Sequence, residues 1–178
     1  MQRIPAIDPA QTTGKTKQLL DAVQAQLGVI PNLMKTIAAS PAALEGYLSL
    51  SGALKHGTLG GRFGEQLSLL TAQQNGCEYC LSAHTYLGEH VAKLDAEEMC
   101  RNRAGDAENE KTHAGLQFAQ QLIARRGKVT AEEFEAVRAA GYTDGQISEI
   151  IGHVALNILT NYFNNAVQTE IDFPKVSA

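Results

Sequence analysis

The residues with the clearest chemical potential lie in one short stretch, Cys77-Glu-Tyr-Cys80-Leu-Ser-Ala-His84. Cys77 and Cys80 are three residues apart, close enough for a disulfide. Asn75-Gly76 just before them is a helix breaker, and helical spacing resumes after it. Both thiols therefore fall in the first turn of a new helix, where free amide N–H groups and the positive end of the helix dipole favour thiolate. His84 follows Cys80 by four residues and stacks on the same helical face. An imidazole there can take the thiol proton or hold the thiolate as an ion pair. The pattern is that of a dithiol redox site, with one attacking and one resolving thiol.

Glu65 adds a carboxylate. It sits among Phe63, Leu67, Leu69 and Leu70 in the preceding apolar segment. If the two segments fold back on each other about Gly76, Glu65 and His84 differ by about 4–5 Å in axial position. A Glu side chain, directly or through one water, spans that and would orient the imidazole and raise its basicity. Other readings of the cluster stay open. CxxC is also half of a zinc site, with Cys77, Cys80 and His84 joined by His90 or Cys100, although no second ligand doublet exists. A thioredoxin-type setting is excluded, because no strand precedes the motif.

The remaining candidates are weaker. His153 and Asn157 are four apart on or beside an apolar helical face, where a lone His is more often a core or interface residue. His56 suits a helix C-cap. His90 and His113 are expected at the surface, and Cys100, beside Glu97 and Glu98, as a half-buried unreactive thiol. Tyr79 and Tyr86 either close over the thiols or pack. The Gly57–Gly64 stretch carries no phosphate-binding Lys pattern, so nucleotide binding has no support.

Helices must position these groups. Ser40-Pro41 reads as an N-cap followed by a first-turn proline. Asp95/Glu98, Thr130/Glu133 and Thr143/Gln146 have capping-box spacing. Gly127 and Gly141 sit where C-caps belong. Ile147, Ile150, Ile151, Val154, Ile158, Tyr162 and Phe163 recur at helical intervals. The expected helices are near 15–27, 32–39, 41–56, 61–75, 78–92, 96–103, 109–126, 131–140 and 144–168, with no significant sheet: an all-α fold. The polar stretch Arg101–Asn109 is the expected mobile loop.

At 178 residues, one domain is the default, with a core over about 28–170 and extended or mobile tails at 1–14 and 171–178. Three cysteines are too few for a disulfide scaffold. A net charge of −4 without a basic stripe makes nucleic acid a poor partner. No apolar run reaches the roughly 18–20 residues of a membrane span, and no signal peptide is visible. A cytoplasmic protein that engages no membrane is the expectation.

Together these residues spell Glu65-x11-Cys77-x2-Cys80-x3-His84. This resembles the signature of the alkylhydroperoxidase D-like proteins of the carboxymuconolactone decarboxylase superfamily. Ala53-Leu-Lys-His-Gly57, Asn75–Thr85, and Asn161-Tyr-Phe-Asn164 before Asp172-Phe-Pro174 look similar too. The resemblance implies a compact all-α fold with the CxxC on a central helical hairpin, assembled as a homotrimer or homohexamer. It implies reduction of an organic hydroperoxide, with electrons from a dithiol such as a lipoylated protein, and no nonprotein cofactor. Carried over by position, Cys80 is the attacking thiol, Cys77 its partner, and His84 with Glu65 the proton relay. Glu78 and Tyr79 stand where alkylhydroperoxidase D itself carries a His between its cysteines, so the chain looks closer to the peroxidase-related branch. The alternatives are a non-redox oligomeric protein that binds a metal or small molecule, and a disulfide reductase or redox sensor with no peroxide substrate.

Overall fold

A computed structural model describes all 178 residues. It contains nine α-helices and no strand: α1 (Gly14–Leu27), α2 (Asn32–Ile37), α3 (Pro41–Lys55), α4 (Gly61–Gln74), α5 (Glu78–His90), α6 (Ala96–Arg103), α7 (Glu110–Ala124), α8 (Ala131–Ala139) and α9 (Asp144–Val167). One 3₁₀ turn, Pro9–Gln11, precedes them. The helix signals act as expected at Ser40, Asp95, Thr130 and Thr143, whose side chains each accept a hydrogen bond from the third residue on. Thr130 and Thr143 form reciprocal capping boxes.

α6 spans the expected 96–103, but the polar stretch expected to be mobile from Arg101 is fastened, with Asn102 fully buried. The Asn102 amide donates to Glu98 Oε1 and to the Asp106 carbonyl, which ties the following turn to the helix. A buried asparagine fastening its own loop looks like any polar residue in the sequence. Cys100 is exposed rather than half-buried, because Met99 and Asn102 turn inward and leave it on the outer face of α6.

α4 is the central helix, packed against α5, α6, α7 and α9. Its interior is buried on all sides, as a helix with no solvent face must be. Leu69 and Ala72 join one core with residues of α1, α2, α3, α5 and α6. Phe63, Leu67 and Leu70 join a second with α7, α8 and α9. Ser68 and Thr71 are buried on this helix without cost to the ladder, since their hydroxyls donate to the Gly64 and Leu67 carbonyls.

The α4–α5 connection is a Schellman turn. Gly76 is left-handed at φ +59, its N–H bonds to Gln73 O, and the Cys77 N–H bonds to Ala72 O. α9 holds this turn from outside: Asn75 Nδ2 donates to Asn161 Oδ1, and Asn165 Nδ2 donates to Asn75 O.

Both chain ends are fastened. Arg3 pairs with the end of α9 through its backbone N–H and its guanidinium. The C-terminal segment crosses α2 and α5. Asp172 accepts from the Asn32 N–H, an N-terminal cap for α2 supplied from 140 positions away, because Pro31 offers none. Tyr79 links the same parts: its hydroxyl accepts from the Leu33 N–H and donates to Asp172 Oδ1. Burial, foremost, drives its phenol well above the ordinary range. Further on, the Val176 N–H reaches Ser82 Oγ.

Tyr79→Phe leaves the buried Leu33 N–H and Asp172 without their shared partner. Loss of about 1–3 kcal/mol in denaturant unfolding is expected, with faster proteolysis of the C-terminal segment, measured by intact-mass analysis.

Candidate functional site

Cys77 occupies the N-cap of α5, and its Sγ accepts from the Cys80 N–H at 3.2 Å. The turn leaves only Asn75 and Gly76 between the end of α4 and this cap, so Cys77 takes it by position. The two cysteines are joined as a disulfide with Cα atoms 5.3 Å apart, within the usual range for such a bond. Cys77 is fully buried; Cys80 is 3% exposed and lines a cavity.

Glu65 and His84 meet directly. Glu65 Oε2 lies 2.8 Å from His84 Nδ1, so no bridging water is needed. Both side chains are about four-fifths shielded. With Nδ1–H donating to the carboxylate, Nε2 is the nitrogen left to accept a proton. No hydrogen bond joins His84 to Cys80 in this disulfide form. The side chain that reaches the Cys80 sulfur is Asn164 of α9, whose Nδ2 donates at 3.3 Å.

Cys80, His84 and Glu65 share one cavity of about 470 Å³, a size suited to an organic ligand. His153 and Asn157 also line it. His153 sits against Gly64: a Cβ at position 64 would lie 3.2 Å from its Cε1, so a larger residue there would push the ring away. The Asn157 amide donates to the His153 carbonyl. Burial, foremost, lowers the His153 pKa below the usual value, while Glu149 and Glu65 pull the other way.

Of the other sequence candidates, His56 is the C-cap of α3, His90 is exposed, and His113 lies toward the surface against Asp106. Tyr79 packs and Tyr86 stacks on His90, so neither closes over the sulfurs. No three His, Cys, Asp or Glu side chains converge as metal ligands.

Sequence reading assigned no role to Asn164 or to the Phe173 wall of the cavity. One signal for the first was present. Asn157, Asn161 and Asn164 recur at four- and three-residue intervals and are buried on one face of α9, a polar row that an apolar interior does not tolerate without partners.

No family model matches the chain, and no curated protein matches it. Solved structures do. An alkylhydroperoxidase D core, described as an uncharacterized peroxidase-related protein from Ralstonia eutropha JMP134, superposes with a TM-score of 0.85 and 26% identity, over 96% of this chain and 92% of that one. The chain has the alkylhydroperoxidase D-like fold. An uncharacterized peroxidase-related protein from Silicibacter sp. TM1040 gives 0.79 and 21% identity over 94% and 88% of the two chains. The debrominase Bmp8, in complex with 2,3,4-tribromopyrrole, gives 0.79 and 16% over 95% and 91%. The last two show the fold alone, and Bmp8 carries a different activity on it.

Two outcomes are expected. In a Cys77→Ser background, Asn164→Ala removes the amide that stabilises charge on Cys80, and iodoacetamide alkylation at neutral pH slows about tenfold. His153→Gln tests the lowered imidazole. The unfolded chain binds more protons near and below the free His pKa of about 6.5, so wild-type stability falls as pH drops through that region. The urea midpoint of His153→Gln should fall less steeply than wild type between about pH 7.5 and about pH 5.5.

Proposed function

We propose that this chain is a thiol-dependent reductase of organic hydroperoxides. The observation that carries the reading is the placement of Cys80 in the wall of a cavity that also holds a Glu65-bound His84, with Cys77 buried directly behind it. Exposure to the cavity favours Cys80 as the attacking thiol, the same choice that its spacing to His84 suggests.

The cycle balances as follows. In the dithiol form, His84 Nε2 takes the Cys80 proton, and Glu65 stabilises the imidazolium. The Cys80 thiolate attacks the distal oxygen of ROOH. The O–O bond breaks, Cys80 becomes a sulfenic acid, and RO⁻ leaves as ROH with the proton from His84. The Cys77 thiol displaces hydroxide from the sulfenic sulfur, giving water and the disulfide. A dithiol donor, such as a lipoylated protein, then opens that disulfide by exchange and is itself oxidised. The chemistry calls for no metal or other cofactor. A dithiol cycle of this kind belongs to a reducing compartment, and the cytoplasm is the proposed one; no helix is long and apolar enough to cross a membrane.

Assembly into a homotrimer or homohexamer is part of the same proposal. Its support is an outward row on α9, where Ile151, Leu159 and Tyr162 are 43%, 46% and 61% exposed.

Reduced wild type treated with cumene hydroperoxide should lose two hydrogens to a Cys77–Cys80 disulfide, read by mass spectrometry. Cys80→Ser should not consume peroxide, and Cys77→Ser should stop at a sulfenic acid that dimedone traps. His84→Gln is expected to slow oxidation about 100-fold and Glu65→Gln at least tenfold. Peroxide consumption by Cys77→Ser/Cys80→Ser at the wild-type rate would sink the reading.

A further inference from the structure

The cavity runs along the α4–α5 hairpin. From α5 its lining includes Cys80, Ala83, His84 and Leu87, with Val91 just past the helix; from α4 it includes Gly61, Arg62, Gly64, Glu65 and Ser68. Cys80 therefore marks the turn end of a trench, and Val91 with Gly61 the open end. From Cys80 to the end of α5 is about 15 Å at the helical rise. Leu33, Met34, Leu54 and Phe173 add apolar wall from other elements.

Charge is divided unevenly along this trench. Its charged side chains, histidines aside, are Lys55, Arg62 and Glu65. Glu65 lies near the middle, engaged by His84. Arg62 belongs to the open end, Lys55 ends α3 just before the connection that leads to it, and neither has an acidic partner. Arg62 is held in place, because its Nη1 donates to the Ala92 and Lys93 carbonyls just past α5. That leaves Nη2 and Nε free to bind an oxyanion. In a chain of net charge −4, a long apolar trench with two unpartnered cations at one end is complementary to an anionic amphiphile.

We propose that this trench binds an aliphatic carboxylate, with its head group at Lys55 and Arg62 and its chain running along α5 toward Cys80. Combined with the peroxidase reading, on which this second step rests, the substrate is a long-chain carboxylate whose hydroperoxide group lies remote from the head group. Carboxylate binding itself does not depend on that reading.

The first test uses oxidised wild-type protein and no peroxide. Dodecanoate and dodecanol are titrated by calorimetry at low and at high salt. Dodecanoate should bind more tightly, and salt should weaken dodecanoate alone. Lys55→Gln and Arg62→Gln should each lower dodecanoate affinity about two- to fivefold and leave dodecanol unchanged. Lys55 makes no hydrogen bond within the protein, so Lys55→Glu separates charge from folding effects and should weaken dodecanoate further. Equal binding of acid and alcohol, or variants indistinguishable from wild type, would overturn the proposal.

The second test compares a long-chain carboxylate hydroperoxide with its methyl ester. Lys55→Gln should raise KM for the acid, leave kcat unchanged and not affect the ester. Tight dodecanoate binding with no turnover of any hydroperoxide would sink the peroxidase reading and leave the binding site standing. Turnover with no preference for the acid would do the reverse.

Discussion

A single left-handed residue sets the geometry of the thiol pair. Gly76 lets α4 end in a Schellman turn and lets the very next residue, Cys77, cap α5. With only Asn75 and Gly76 before it, Cys77 is the N-cap, and Cys80 stands one turn into the helix. The same tight reversal makes α4 and α5 antiparallel neighbours in a fixed register. That register brings Glu65 to His84 at 2.8 Å. A longer or looser turn would separate carboxylate from imidazole and move both thiols away from the helix terminus. The asparagines of α9 that grip Asn75 hold this turn from outside.

The site is built inward from that hairpin in layers. α4 supplies Glu65 and, through Gly64, the space that His153 occupies. α5 supplies the sulfurs and His84. α9 closes the far wall and delivers Asn164 to the Cys80 sulfur. The C-terminal segment supplies Phe173 and caps α2, which itself contributes Leu33 and Met34 to the cavity. Each layer is held by long-range polar contacts: Glu149 to the 58–59 turn, Asp172 to α2, Ser82 to Val176. The result is a chamber with apolar walls, with Asn164 at one sulfur and Glu65, His84, Lys55 and Arg62 also in its lining.

The proton economy of the chamber follows from burial. His84 keeps a carboxylate partner, which fixes the orientation of its ring. His153 is half-buried with no hydrogen bond to its ring, and desolvation favours its neutral form. Two histidines in one cavity thereby have different surroundings, one bonded to a carboxylate and one held only by packing.

The nine helices, their N-caps and the Glu65, Cys77, Cys80 and His84 set were legible in the chain, because capping, helical periodicity and residue spacing are local physics acting within a few turns. The Glu65–His84 contact was legible too, since a two-helix register follows from one turn. Asn164, Phe173 and the Asp172 cap were not, because they reach their partners across more than 80 positions, and only the polar row on α9 hinted at the first. Asn102 misled for a similar reason: whether a polar residue is solvated or buried against its own loop depends on what packs over it. Sequence by itself determined which groups could do chemistry and which helices carry them. Only the tertiary structure decided which cysteine faces the cavity, what that cavity is lined with and where its charge lies, because those depend on how separate helices pack.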